Sequence, residues 1–127
     1  MSRIILMFRN INIGSIKNQA FDILLDNGEI YSIILEYEPY NFVENDIDKI
    51  GYWFITLTYN NITVCTKRKV VLSANILDFA SNLLPYGIAI ISKEKIEPIS
   101  VYSFISTCKF YLVSYDVAES LLNDFYE

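Results

Sequence analysis

The sequence predicts a mostly β protein, a small antiparallel barrel or sandwich with one or two short helices. Apolar and polar residues alternate over several short runs, residues that favour tight turns separate those runs, and helical spacing is confined to two short stretches. The 127 residues suffice for one hydrophobic core, and no internal repeat or Gly/Ser linker interrupts them. We therefore expect a single β-rich domain over residues 1–127.

Two hairpins carry most of this prediction. Trp53–Tyr59 places large apolar side chains at every second position, and Asn60-Asn61 then supplies residues that tolerate positive φ before a second alternating run at 62–66. Earlier in the chain, strands at 21–25 and 30–37 flank the turn signal Asp26-Asn27-Gly28. One face of the strand at 30–37 is wholly apolar or aromatic, with Tyr31, Ile33, Leu35 and Tyr37.

The other elements are shorter. We expect strands at 4–8, 70–72, 88–92 and 108–115, a weakly patterned connection at 10–18, and a loop from Pro39 to Lys49. Spacings of three and four predict a short helix or helical turn within 75–84, ended by Pro85 and Gly87. Residues 101–105 suit a strand or a helical turn. A closing helix, N-capped by Asp116, would carry Val117, Leu121, Leu122 and Phe125.

The composition argues against catalysis. The chain has no histidine, which removes the commonest general base and metal ligand, and its four glycines are too scattered to form a phosphate-binding loop. We predict a protein that is not an enzyme and that has no cofactor and no metal. The densest polar segment holds Glu36, Glu38, Glu44, Asp46 and Asp48, which we interpret as a solvated acidic loop. A cation site and a surface for a basic partner are the alternatives.

Net charge and hydropathy limit the classes of partner that we expect for this chain. A net charge of −5 disfavours binding to nucleic acid, and Lys67-Arg68-Lys69 is interpreted as a solvated loop or strand end. No apolar run is long enough to span a bilayer, so we expect no membrane partner. Cys65 and Cys108 are expected to be small buried side chains and not a disulfide.

Aromatic residues are the candidates for partner binding. They make up 15% of the chain, more than one small core can hide, and exposed tyrosine and tryptophan are enriched at protein interfaces. A role in the core is the alternative for each, and open strand edges are a second means of binding a partner. The candidate partner-binding residues are Tyr37, Tyr40, Phe42, Tyr52, Trp53, Tyr115, Phe125 and Tyr126.

The order of motifs resembles a family of small plug proteins in the baseplates of contractile phage tails. Phe21-Asp-Ile-Leu-Leu25, Asn27-Gly28 and Tyr31 stand where that family has a Phe-x-x-x-Leu strand, a glycine turn and a tyrosine-bearing strand. The remaining matching segments are Trp53–Tyr59 with Asn60-Asn61 and Ile62–Lys69, then Ile76-Leu77, Leu83–Gly87, Glu97-Pro98 and Phe110–Tyr115. The stretch Val70-Val-Leu-Ser-Ala74 departs from the family, which has a glycine there, and the loop at 39–49 is unusually acidic.

The resemblance implies a structural subunit without catalytic residues. Such a subunit would pack against other baseplate, hub or tube proteins, in multiple copies, within a phage tail or a related injection device. It would be located in the virion and made in the bacterial cytoplasm. The alternative from another class is a small acidic intracellular inhibitor or immunity-type protein, whose charge would mimic nucleic acid in a basic active site.

Overall fold

The computed structural model describes residues 8–39 and 50–126, with the backbone alone at 8 and 122–126. The strands are β1 (Phe8–Ile11), β2 (Asn18–Leu24), β3 (Ile30–Pro39), β4 (Gly51–Tyr59), β5 (Ile62–Lys69), β6 (Gly87–Ser92) and β7 (Cys108–Val113). A helix, α1, covers Tyr115–Tyr126, and single 3₁₀ turns lie at Asp78–Ala80 and Ser103–Ile105. The predicted mostly β, antiparallel class is confirmed. Neither sheet closes into a barrel within the described ranges.

The chain divides into two compact units. One consists of the described residues up to Ile13 together with Val71–Glu97 and the segment from Phe104 onward. The other consists of Gly14–Val70 and Pro98–Ser103. We call them the discontinuous unit and the hairpin unit. That the 127 residues behave as one domain stays a prediction.

The hairpin unit is built on a four-stranded antiparallel sheet in the order β2-β3-β4-β5. The predicted apolar face of β3 is confirmed, because its alternate side chains from Tyr31 to Tyr37 are buried. On β4, Trp53, Ile55 and Leu57 have no exposed surface. Burial of each such side chain contributes about 1.5–3 kcal/mol before chain entropy is counted. We call this side of the sheet the inner face and the opposite side the outer face.

Both predicted turns form as the residue types require. Asn60 and Asn61 have φ angles of 52° and 62°, the left-handed conformation of a two-residue hairpin turn. Gly28 has a φ of 85°, and the Leu25 carbonyl accepts its N–H at 3.0 Å. The Asn27 side chain accepts the Glu29 N–H at 2.9 Å and so supports the turn.

The discontinuous unit contains a three-stranded antiparallel sheet in the order β1-β7-β6. Ala118 of α1 packs with Ala89 of β6 and Val113 of β7, and Val117 and Leu121 border this cluster. The side chains that alternate with these on β6 and β7, namely Ile88, Ile90, Phe110 and Leu112, are also buried. Both faces of this sheet are therefore covered.

The helical turn that the sequence predicts within 75–84 is confirmed, at Asp78–Ala80. Two other local predictions need correction. Val70–Leu72 is not a strand, because its N–H groups find separate acceptors: the Val70 N–H donates to the Trp53 carbonyl and the Leu72 N–H to the Glu97 carboxylate. The closing helix begins at Tyr115, so Asp116 lies in its first turn instead of capping it. A negative charge in the first turn still stabilises the helix through its interaction with the helix dipole.

The predicted strand at 4–8 falls mostly outside the described residues, as do residues 40–49 of the predicted acidic loop. The observed strand β1 shares Phe8 with the predicted strand and continues through Asn10 and Ile11, which the sequence assigned to a connection.

Candidate interaction surface

The two most buried candidates, Trp53 and Tyr37, stabilise the hairpin unit from within. Their ring centroids lie 5.5 Å apart, and their exposed fractions are 0% and 6%. The Trp53 indole N–H donates to the Ser100 carbonyl at 2.9 Å, and the Tyr37 hydroxyl donates to the Ile99 carbonyl at 3.2 Å. The core alternative accounts for this geometry. Partner contact by either side chain stays a prediction, and it would require this unit to open.

The backbone of Gly51 also bonds to the segment that Trp53 and Tyr37 contact. Its N–H donates to the Ile99 carbonyl at 2.8 Å. A Cβ at this position would lie 2.4 Å from the Glu38 carbonyl oxygen and 2.6 Å from the Tyr37 ring. The absence of a side chain therefore lets the Tyr37 ring and the Glu38 carbonyl lie against the start of β4.

Tyr52 lies on the outer face, half-buried, within a mixed-charge cluster. The Lys69 ammonium nitrogen is 3.8 Å from the Tyr52 ring centroid, a cation–π geometry. Lys67 reaches Glu36 at 3.7 Å and Glu38 at 3.4 Å. The Lys67 and Glu38 side chains are more than half exposed and Glu36 is partly exposed, so each ion pair contributes little to stability. The cluster balances its own charges and leaves the Tyr52 ring only partly accessible.

A β-bulge in β5 brings the Lys67 side chain to this cluster. Arg68 is opposite Ile55 and Cys65 is opposite Leu57, so Thr66 and Lys67 together face Thr56 alone. Lys67 has a φ of 47°, and its N–H donates to the Thr56 hydroxyl at 3.0 Å. Bulges of this kind end regular pairing at sheet edges. The sequence analysis missed the bulge, because no glycine marks it.

Tyr115, in the discontinuous unit, borders an open cleft of about 580 Å³. Its hydroxyl donates to the Leu84 carbonyl. Burial raises the pKa of the Tyr115 phenol, and the charge of Asp78 raises it further. The cleft is lined mainly by small polar side chains and by the carboxylates of Asp78 and Glu119. Part of Tyr115 remains exposed, so it stays available as a contact residue.

Four candidates have no described side chain. Tyr40 and Phe42 lie outside the described residues, and Phe125 and Tyr126 lie in α1 beyond the last described side chain. Partner binding by these four stays a prediction from sequence. Across the described ranges, no group of three or more cysteine or acidic side chains is placed to hold a metal ion. No described helix is long and apolar enough to cross a membrane.

The β2 edge of the hairpin unit is a surface that the residue-type arguments did not single out. Within residues 8–39 and 50–126, β2 is the end strand of this sheet, and it pairs with β3 in uninterrupted register. Its outer-face side chains Ala20, Asp22 and Leu24 lie opposite Ile34, Ser32 and Ile30 on β3. Leu24 is 63% exposed, and Ile30 and Ile34 are more than two-fifths exposed. We call these six residues the β2 outer strip. A signal was present: Asn18–Leu24 contains no lysine and no proline.

The comparison with known families decides the class of protein. A family model described as cyanophage baseplate Pam3 plug gp18 matches residues 8–116 of the 127. The chain belongs to this baseplate plug family. The match extends from β1 to the first turn of α1, so it includes residues of both units. No curated protein matches the chain.

The resemblance inferred from the sequence is thereby confirmed. Plug family membership makes this chain a structural component of a phage tail baseplate. A structural component can contact its neighbours only through accessible surfaces. The described part of the chain offers two accessible candidates for such surfaces, the β2 outer strip and the cleft beside Tyr115.

Proposed function

We propose that this plug protein fills space in the baseplate by packing against hub and tube proteins. It is present in several copies that follow the symmetry of that assembly. It turns over no substrate, binds neither nucleic acid nor membrane, and is made in the bacterial cytoplasm before it joins the virion. The observation that carries the proposal is the plug family match over residues 8–116.

The described surface supports a packing role in both units. Ile16 and Ile62 in the hairpin unit and Leu83 in the discontinuous unit are about 70% exposed. Single exposed apolar residues are common on soluble proteins, but the β2 outer strip groups three of them along one sheet edge. Tyr52 and Tyr115 are partly accessible, so they remain in the proposed contact set.

Cryo-electron microscopy of purified tails tests this function directly. We expect density for the chain in the baseplate, in contact with hub or tube subunits, and we expect the protein in purified tails by mass spectrometry. Complete, infectious particles that contain no copy of the chain would overturn the proposal. A tight, salt-sensitive complex with a nuclease, with no copies in the tail, would favour the acidic inhibitor instead.

A further inference from the structure

The β2 edge differs from the other strand edges of the described chain in its regular seven-residue pairing with β3 and its single charged residue, Asp22. At the opposite edge of the same sheet, β5 carries the Lys67 bulge and three consecutive basic residues. In the other sheet, Ser73 exchanges two backbone hydrogen bonds with Ile90 of β6, at 3.0 and 2.9 Å. The described part of β1, Phe8–Ile11, carries Arg9. Natural proteins use such devices to prevent strand addition. β2 has no bulge, no lysine and no proline, and Asp22 is its one charged residue.

The direction of the β2 backbone groups follows from two hydrogen bonds. The Tyr37 N–H donates to the Lys17 carbonyl, and the Leu25 N–H donates to the Glu29 carbonyl, both at 2.8 Å. In the β2–β3 register these are the pairs 17–37 and 25–29, so the odd-numbered residues of β2 form the hydrogen-bonded pairs. Ala20 and Asp22 therefore direct their N–H and carbonyl groups away from β3, toward the edge.

The side chains on the outer face of β2 indicate which residue types a partner strand should carry. On the outer face β2 presents Ala20, Asp22 and Leu24, an acidic residue between two apolar ones. Side chains directly opposite on paired strands interact most strongly, and opposite charges are favoured there. A strand added to this edge would match it best with a basic residue between two apolar residues on one face. This requirement is the same for parallel and antiparallel addition.

A second copy of the chain meets this requirement poorly. Two copies of β2 related by a two-fold axis would pair antiparallel through their even-numbered residues. Pairing Ala20 with Leu24 places the two Asp22 side chains directly opposite each other, and pairing Asn18 with Leu24 places them on a diagonal. Like charges at these positions are destabilising. The edge is thus better matched to a different protein.

We propose that the β2 edge accepts an extended strand of another baseplate protein, with a basic residue opposite Asp22 and apolar residues opposite Ala20 and Leu24. The strand bonds to the outward N–H and carbonyl groups of Ala20 and Asp22 and covers the β2 outer strip. This inference rests on the proposed function, because it names the surface through which the plug protein meets a neighbour.

Amide hydrogen exchange of the full chain, measured by NMR, tests the β2 edge with a peptide in place of the partner protein. The probe is a capped peptide, Thr-Ile-Thr-Lys-Thr-Ile-Thr, and its control carries Glu in place of Lys. We expect the Lys peptide to slow exchange at Ala20 and Asp22, while Gln19 and Phe21, already paired with β3, change little. Unchanged exchange at Ala20 and Asp22 in saturating peptide would overturn the proposal, as would protection confined to another surface.

Two substitutions test separately the contribution of the Asp22 charge and that of the backbone N–H of Ala20. Asp22→Lys should weaken binding of the Lys peptide by about three- to tenfold and strengthen that of the Glu peptide. Ala20→Pro removes an N–H that does not bond to β3. The variant protein should therefore unfold at nearly the wild-type temperature but should no longer bind the peptide. Ala20→Thr, which keeps the N–H, is its matched control. Equal binding by Ala20→Pro and Ala20→Thr would refute strand addition.

Incorporation into tails distinguishes this inference from the proposed function. We expect folded Ala20→Pro to be missing from tails that contain Ala20→Thr. If both variants enter tails equally, the β2 edge is not the contact and the strand-addition inference fails, while the plug function stands. If the wild-type chain itself is missing from tails, the plug function fails, and the peptide experiment alone decides the inference.

Discussion

The indole N–H of Trp53 donates to the backbone carbonyl of Ser100 at 2.9 Å, and this bond ties a segment distant in sequence to the central strand of the hairpin unit. We expect Trp53→Phe to lower the free energy of unfolding by about 1–3 kcal/mol, because it leaves the Ser100 carbonyl unpaired and removes buried volume. Urea unfolding measures this loss. Phe54→Leu on the half-buried outer side of the same strand is the control and should cost clearly less. Equal losses would contradict a special role for the bond.

The close packing around Gly51 at the start of β4 can be tested by substitution, with Gly14 as the control position. Gly51→Ala should destabilise the protein by about 1–3 kcal/mol, because its Cβ would overlap the Glu38 carbonyl and the Tyr37 ring. In Gly14→Ala the nearest atom would be the Gln19 side-chain oxygen at 3.8 Å, so its effect should stay within about 0.5 kcal/mol. Thermal unfolding of both variants checks the contrast. An unaffected Gly51→Ala would show that the Glu38 backbone and the Tyr37 ring can move aside.

The single-domain prediction can be tested with one probe in each unit. Trp53, the only tryptophan, reports on the hairpin unit by fluorescence, and Cys108, buried in the discontinuous unit, reports by its reactivity with a thiol reagent in a Cys65→Ser background. Burial raises the pKa of the Cys108 thiol, which keeps it slow to react while folded. One cooperative domain requires the two midpoints in urea to coincide. Separate midpoints would mean that the units unfold independently.

Tyr115 gives a prediction about alkaline pH. Burial and the charge of Asp78 raise its pKa above the ordinary value of 10.0, so the unfolded chain releases this proton first. The contribution to stability is complete below pH 10 and is lost as pH rises from there through the pKa of the folded state. Tyr115→Phe should cost about 0.5–1.5 kcal/mol at neutral pH, through the lost bond to the Leu84 carbonyl.

The same variant should also flatten the fall in stability above pH 10. Urea unfolding at pH 7 and at pH 10.5 measures both effects for the wild type and for Tyr115→Phe. If the two proteins lose the same amount of stability between these pH values, the phenol does not titrate differently in the folded and unfolded chains.

The sequence was most informative where local chemistry decides the structure. Alternation over Trp53–Tyr59 and the positive-φ preference of Asn60-Asn61 fix a hairpin without help from distant residues. The helical spacing within 75–84 left a short helix and a helical turn open, and only a turn forms because the Asn75 side chain accepts N–H groups from both Leu77 and Ile88. Such a competing hydrogen bond depends on a strand that lies later in the sequence.

The interaction surface was predicted less well than the fold. Aromatic residue type could not separate Trp53, which is fully buried, from Tyr52, its half-buried neighbour on the opposite face. Only the pairing of β4 with β3 assigns each to a face. The β2 edge likewise became visible once the strand order was known, because an edge is a property of a sheet and not of a strand.

The strand orders of the two sheets set different requirements on the nascent chain. β2 to β5 pair in the order in which the ribosome makes them, so the sheet of the hairpin unit can form as it emerges. β1, although made before these four strands, pairs with β7, which is made after all of them. β1 must therefore wait until β7 has been translated, and a product truncated before β7 would leave β1 without its partner. Such fragments are expected to aggregate or to attract chaperones, whereas chains that include β7 would not.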